Sequence, residues 1–128
     1  MGDRATFVIE QENGQSIYLY SHWGGEGMMD TVAYGLDIAR PRWGDEGYAT
    51  RIFISQIIAN NWSEETGYGL TTYFCDSEHS VPVINFTKGT VRLIPHDYTS
   101  TFDINTKPKF EMSLDTFVKK FSKTLTSV

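Results

Sequence analysis

Residues 5–23 read ATFVIEQENGQSIYLYSHW, and this stretch decides the fold class. Ala5–Gln11 and Ser16–Trp23 are rich in β-branched and aromatic side chains, which suit a pleated, half-buried surface. Between them, Asn13-Gly14 is the preferred pair for a two-residue type I′ turn, whose two central residues both need positive φ. The spacing therefore predicts an antiparallel hairpin. Side chains alternate across a strand, so Ile17, Leu19, Ser21 and Trp23 share one face, read here as the core face. Tyr18, Tyr20 and His22 share the other, where they either line a pocket or form a half-buried sheet surface.

Gly24-Gly25-Glu26-Gly27 interrupts the second strand. Met28, Val32, Leu36 and Ala39 then recur at helical spacing, predicting a helix over Met28–Ala39 that Pro41 stops. Beyond the loop Arg40-Pro-Arg-Trp-Gly-Asp-Glu-Gly47, a second helix is expected over Tyr48–Asn60. Its apolar face carries Ile52, Phe53, Ile57 and Ile58, with Arg51 and Ser55 on the polar side. Strands are expected at Leu70–Cys75, Val83–Thr87 and Thr90–Pro95, the last two joined around Lys88-Gly89. Tyr98–Lys109 reads equally as a long loop or an edge strand. Ser113 opens a last helix with Leu114, Phe117, Val118, Phe121 and Leu125 on one face and Lys119, Lys120 and Lys123 outside. The order β-β-α-α-β-β-β-α, with no repeat or linker, predicts a single α+β domain over residues 1–128. Its expected form is an antiparallel sheet with two central helices and a C-terminal helix packed on it.

The 128 residues carry 11 Lys+Arg against 16 Asp+Glu, a net charge of −5, which argues against a protein that coats DNA or RNA through its phosphates. A hydrophobic content of 40% with 21% charged residues excludes a disordered chain. No apolar run approaches the ~20 residues of a membrane span, and the N-terminus lacks a signal-peptide layout, so a cytoplasmic protein without membrane contact is expected. Cys75 is the single cysteine, which rules out an internal disulfide and fits a reducing compartment. The charge is uneven. Residues 1–87 hold four arginines against twelve acids, a balance of −8, and residues 88–128 hold seven bases against four acids, a balance of +3. Every lysine lies in the second part. Arginine, unlike lysine, grips carboxylates and phosphates with a planar fork.

Trp23, Arg40, Arg42, Trp43, Tyr48, Arg51 and Tyr68 all sit in or beside the connectors that flank the two helices. Arginine forks and aromatic faces are what a planar anionic ligand such as a nucleotide needs. The competing reading pairs Arg42 and Arg51 with Asp45 and Glu46, and uses Trp23 and Trp43 to cover the edge of the core. The glycine loop could offer backbone N–H groups to an anion, but its spacing is neither a dinucleotide fingerprint nor a P-loop, so a flexible turn is the better reading. No catalytic set, metal site or cofactor is implied. His22, His79 and His96 are scattered, Asp76-Ser-Glu78-His79 reads as a solvated acidic turn, and Cys75 reads as a small strand residue.

The segments Gly2-Asp-Arg-Ala5, Ile17–Trp23 (IYLYSHW), Arg42-Trp-Gly-Asp45, Tyr48–Ile52 (YATRI) and Thr66-Gly-Tyr-Gly69 together resemble a family of small phage and prophage proteins. The resemblance spans residues 1–70 and part of the following strands, and it brings no established reaction with it. It implies a viral origin and action inside a bacterial host. Small phage proteins without catalytic machinery often block host defence, one way being to sequester a nucleotide signal. Family motif and ligand chemistry coincide at Arg4, His22, Trp23, Arg42, Trp43, Arg51 and Tyr68, which are taken as the ligand-binding candidates.

The expected function is a non-enzymatic protein that binds and sequesters an anionic small ligand, a nucleotide or cyclic nucleotide immune signal, across a homodimer. Arg42 and Arg51 are expected to converge near the N-terminal end of the second helix, where the dipole also favours an anion. Two alternatives stay open. One is a nucleotide-cleaving phosphodiesterase or hydrolase with His22 or His79 as general base; the other is an inhibitor that binds a host protein through its acidic face.

Overall fold

A computed structural model describes residues 2–122. The strands are β1 (Ala5–Glu10), β2 (Ser16–Ser21), β3 (Tyr68–Thr71), β4 (Val81–Asn85), β5 (Thr90–Ile94) and β6 (Phe110–Ser113). The helices are α1 (Met28–Ile38), α2 (Glu46–Ile58) and α3 (Leu114–Phe121), with short 3-10 turns at Arg40–Arg42 and Ala59–Asn61. The class is α+β, as the hydrophobic patterning predicts.

The hairpin forms with a different turn from the one expected. Among the described residues Asn13 does not have a positive φ, whereas Gly14 does, at 87°. Gln11 N–H donates to Gln15 O, and Gly14 N–H to Gln11 O. The loop is thus three residues long, with only its last position left-handed, the alternative to a type I′ turn that a single glycine permits. Asn13 contributes through its side chain, whose Oδ1 accepts from Gln15 N–H at 3.0 Å.

The sheet order is β3-β2-β1-β4-β5-β6. The sheet is mixed, which corrects the expected all-antiparallel arrangement: β1 and β4 run parallel, with Val8 opposite Val83 and Ile9 opposite Ile84. The cause is a crossover. β3 pairs antiparallel with β2 and so runs in the direction of β1. Residues 72–80 then travel back along the sheet before β4 starts, so β4 enters beside β1 in the same sense. The undecided segment 98–109 is loop, and β6 follows it as a four-residue edge strand.

Both faces of the central strands are covered. Ala5, Phe7, Ile9, Leu19, Ile84 and Val91 face the helical layer, where they pack with Val32, Leu36, Phe53, Ile57 and Phe117. Val8, Val81, Val83 and Ile94 face the other way, beneath Tyr18, Phe74, Phe102 and Ile104. Phe74 and Phe102 stack there at 4.6 Å, with Tyr18 edge-on to both. This double coverage explains why β1 is buried at every position but its last rather than at alternate ones. Each of its fully buried Val, Ile and Phe side chains contributes roughly 1.5–3 kcal/mol of burial.

α2 lies along the sheet. Its first residue, Glu46, accepts from Glu12 N–H (2.8 Å) and from Thr87 Oγ1 (2.9 Å), which pins the start of the helix to the hairpin turn and to the β4–β5 turn. Its last residue, Ile58, lines a small cleft with Trp62, Tyr68 and Leu70 at the opposite end of the sheet. Thirteen residues at ~1.5 Å each match the length of the strands beneath. Ser113 caps α3 as expected, its Oγ accepting from Thr116 N–H. Leu125 and Lys123 lie outside the described residues.

Candidate functional site

The length of α2 separates the candidate residues into two groups. Arg4, His22, Trp23 and Tyr68 gather where β1 and β3 begin and β2 ends. Arg42, Trp43 and Arg51 belong to the end where α2 begins. The single cluster expected from the connectors does not exist, because the helix between those connectors carries one of them across the whole sheet.

At the α2 end, Arg42 and Arg51 converge. The Arg42 guanidinium carbon lies 5.2 Å from the centre of the Tyr48 ring and that of Arg51 lies 5.9 Å from it. Tyr48 is 52% exposed. Among the described residues, no carboxylate lies within ion-pair distance of either arginine. Glu46, one of the two acids expected to neutralise them, is occupied with Glu12 N–H and Thr87. Trp43 has a different task. Its Nε1 donates to Leu36 O at 2.9 Å and its ring packs on the core, carrying the Arg40 guanidinium at 4.4 Å. Arg40 in turn pairs with Asp37 and Asp115, tying α1 to α3. Burial disfavours the Arg40 charge, but the hydrogen bonds to Asp115 and Asp37 outweigh it and raise the pKa.

The other end is built around internal ion pairs. Arg4 Nε lies 3.0 Å from Asp76 and 3.3 Å from Glu78, and Glu78 also accepts from Arg4 N–H. Arg4 is therefore engaged by the chain itself. His79 Nε2 meets Asp3 Oδ1 at 2.5 Å, and Asp3 Oδ2 accepts from Glu26 N–H at 2.6 Å. The His79 hydrogen bond first, and the Glu26 N–H second, lower the Asp3 pKa. This answers what the glycine loop does: its amide is satisfied by a carboxylate of the same chain. Gly25 has no side chain because a Cβ there would sit 2.2 Å from His79 and 2.5 Å from Asp3. The residues of the Asp76-Ser-Glu-His79 turn are thus partners of the N-terminal segment.

His22 Nδ1 and the Tyr20 hydroxyl are 2.7 Å apart. Burial, then the Asp76 charge, raises the Tyr20 pKa. Trp23 stands edge-on to His22 at 4.8 Å and is 61% exposed, because it lies beyond the last paired residue of β2 and outside the core face expected for it. These rings border a cleft of about 460 Å³ lined by Tyr20, His22, Trp23, Thr66, Gly67 and Tyr68. Tyr18, expected beside Tyr20 and His22, is packed under Phe74 and Phe102 instead. Sequence reasoning singled out Tyr68 here but missed Thr66 and Gly67. The signal was the pair of glycines around Tyr68: Gly67 just before β3, and Gly69 inside it, where glycine marks a close approach.

Among the described residues, no group of three or more His, Cys, Asp or Glu side chains is placed to hold a metal ion, and no helix is long and apolar enough to cross a membrane. No protein-family model matches the chain, and no curated protein or solved structure is detectably similar to it.

Proposed function

We propose that this chain is a non-enzymatic binding protein that captures an anionic, ring-bearing small molecule of the nucleotide class on the Arg42–Tyr48–Arg51 face. One observation carries the reading: two guanidiniums lie on one exposed aromatic ring with no carboxylate partner among the described residues. On binding, the arginine forks turn from the ring to phosphate oxygens, which frees Tyr48 for a base to stack on. The face is open in a single chain, so a second copy placed over it encloses the ligand, and the homodimer belongs to the proposal. In the cytoplasm of a bacterial host, such a protein withdraws a nucleotide signal from circulation, the use that the phage resemblance implies. Hydrolysis is the weaker reading, because His22 and His79 stand at the other end of the sheet and give the arginine pair no general base.

Thermal shift and calorimetry with mono-, di- and cyclic nucleotides test the proposal. A ligand at 100 times its Kd adds ~2.7 kcal/mol of stability. Arg51→Lys keeps the charge but loses the fork, and it should weaken binding more than tenfold, about 1.4 kcal/mol, with little change in melting temperature. Recovering intact ligand after denaturation separates capture from turnover. Absence of a shift with every nucleotide, or binding that survives Arg42→Lys and Arg51→Lys together, overturns the reading.

A further inference from the structure

The cleft at the opposite end has a chemistry of its own. Its floor is backbone at Gly67, which presents no side chain, and its walls are the rings of Tyr20, His22 and Trp23. Trp23 lies directly over Gly67, whose φ is 108° and where a Cβ would come within 3.2 Å of the indole. A side chain at position 67 would push this wall aside. The groove is concave, mostly apolar and bordered by an exposed indole, which is the usual form of a small-molecule site.

Its surroundings are acidic. Asp76 lies beside this wall, since its carbonyl accepts from the hydroxyl of Thr6, the cross-strand neighbour of Tyr20, and Asp76 and Glu78 both act electrostatically on Tyr20. Glu64 and Glu65 are exposed and immediately precede the lining residue Thr66. Against these four carboxylates stands Arg4, already paired with two of them. A phosphate-bearing ligand meets repulsion here. A compact, strongly hydrated cation gains little from aromatic walls that cannot replace its water. The combination of rings and negative rim favours a cation that is weakly hydrated.

We infer that this groove binds a small organic cation, an alkylated ammonium or a guanidinium, seated against Trp23 and Tyr20 with Asp76 and Glu78, in excess over Arg4, supplying the surrounding field. The site is independent of the arginine face, and a nucleotide bound there leaves it unoccupied.

The test is a nuclear magnetic resonance titration of the full chain with choline and with its uncharged isostere 3,3-dimethylbutan-1-ol. Choline should shift the Trp23 indole and the Gly67 and Gly69 amide signals saturably, with a Kd in the millimolar range or below. The alcohol should bind at least tenfold more weakly, as should choline to Trp23→Ala, while Trp23→Phe retains part of the affinity. Trp23 is exposed, so both variants keep the fold, which their spectra verify. Asp76→Asn should weaken choline several-fold. Equal binding of choline and the alcohol overturns the inference in favour of an apolar groove. Shifts of the same signals by adenosine monophosphate, or no saturable shift by choline, overturn it outright.

Discussion

Arg4→Met separates a structural arginine from a ligand-binding one. The Arg4 guanidinium lies 3.0 Å from Asp76 and 3.3 Å from Glu78, with the three side chains 37%, 41% and 33% exposed. At that exposure each pair contributes only ~0.2–1 kcal/mol, so the two together give about 1 kcal/mol. Methionine keeps the apolar stem and removes only the charge, while the repulsion between Asp76 and Glu78 is the same in both chains. The expected loss at neutral pH is therefore about 1 kcal/mol, a drop of roughly 3–5 °C in Tm for a domain of this length. Urea denaturation measures it. The loss should shrink in about 1 M salt, where the Debye length falls to ~3 Å. A loss under about 0.5 kcal/mol, or one of the same size at every salt concentration, would refute the ion-pair account and return Arg4 to the ligand candidates.

Two further outcomes follow from the packing and the protonation pattern. A Cβ at Gly35 in α1 would stand 3.0 Å from the ring of Phe53, which is fully buried and cannot move aside, so Gly35→Val should cost about 3 kcal/mol by overpacking; an unchanged denaturation midpoint would show that α1 and α2 are not in close contact there. His79 and the Glu26 N–H lower the Asp3 pKa, so the folded chain binds that proton more weakly than the unfolded chain does. The resulting stability is present above the ordinary aspartate value of 3.8 and is lost as pH falls through the lowered one. Asp3→Asn should flatten the acid limb of the stability curve below about pH 4, and an acid limb identical to that of the parent chain would contradict the assignment.

The sequence by itself determined what short-range physics controls. The helical spacing of Met28, Val32 and Leu36, and of Phe53, Ile57 and Ile58, lies within single elements, where each turn of helix reports its own buried face. The α1 boundaries, the Ser113 cap and the first hairpin follow from neighbours a few residues apart. The convergence of Arg42 and Arg51 was legible for the same reason, since both stand within two turns of the α2 start and meet on Tyr48.

What only the tertiary structure decided depends on partners far apart in the chain. The parallel pairing of Val8 with Val83 leaves no local mark, because an apolar strand reads alike in either direction. Arg4 looked free until the crossover brought Asp76 and Glu78, more than seventy residues on, against it. Trp23 looked like a core residue because alternation was extended past the end of β2, where pairing and burial stop. The division of one expected site into two is geometric as well. The connectors that carry Trp23 and Arg42 are near in sequence, but α1 and α2 are rigid rods as long as the sheet, and their packing against it decides which ends meet.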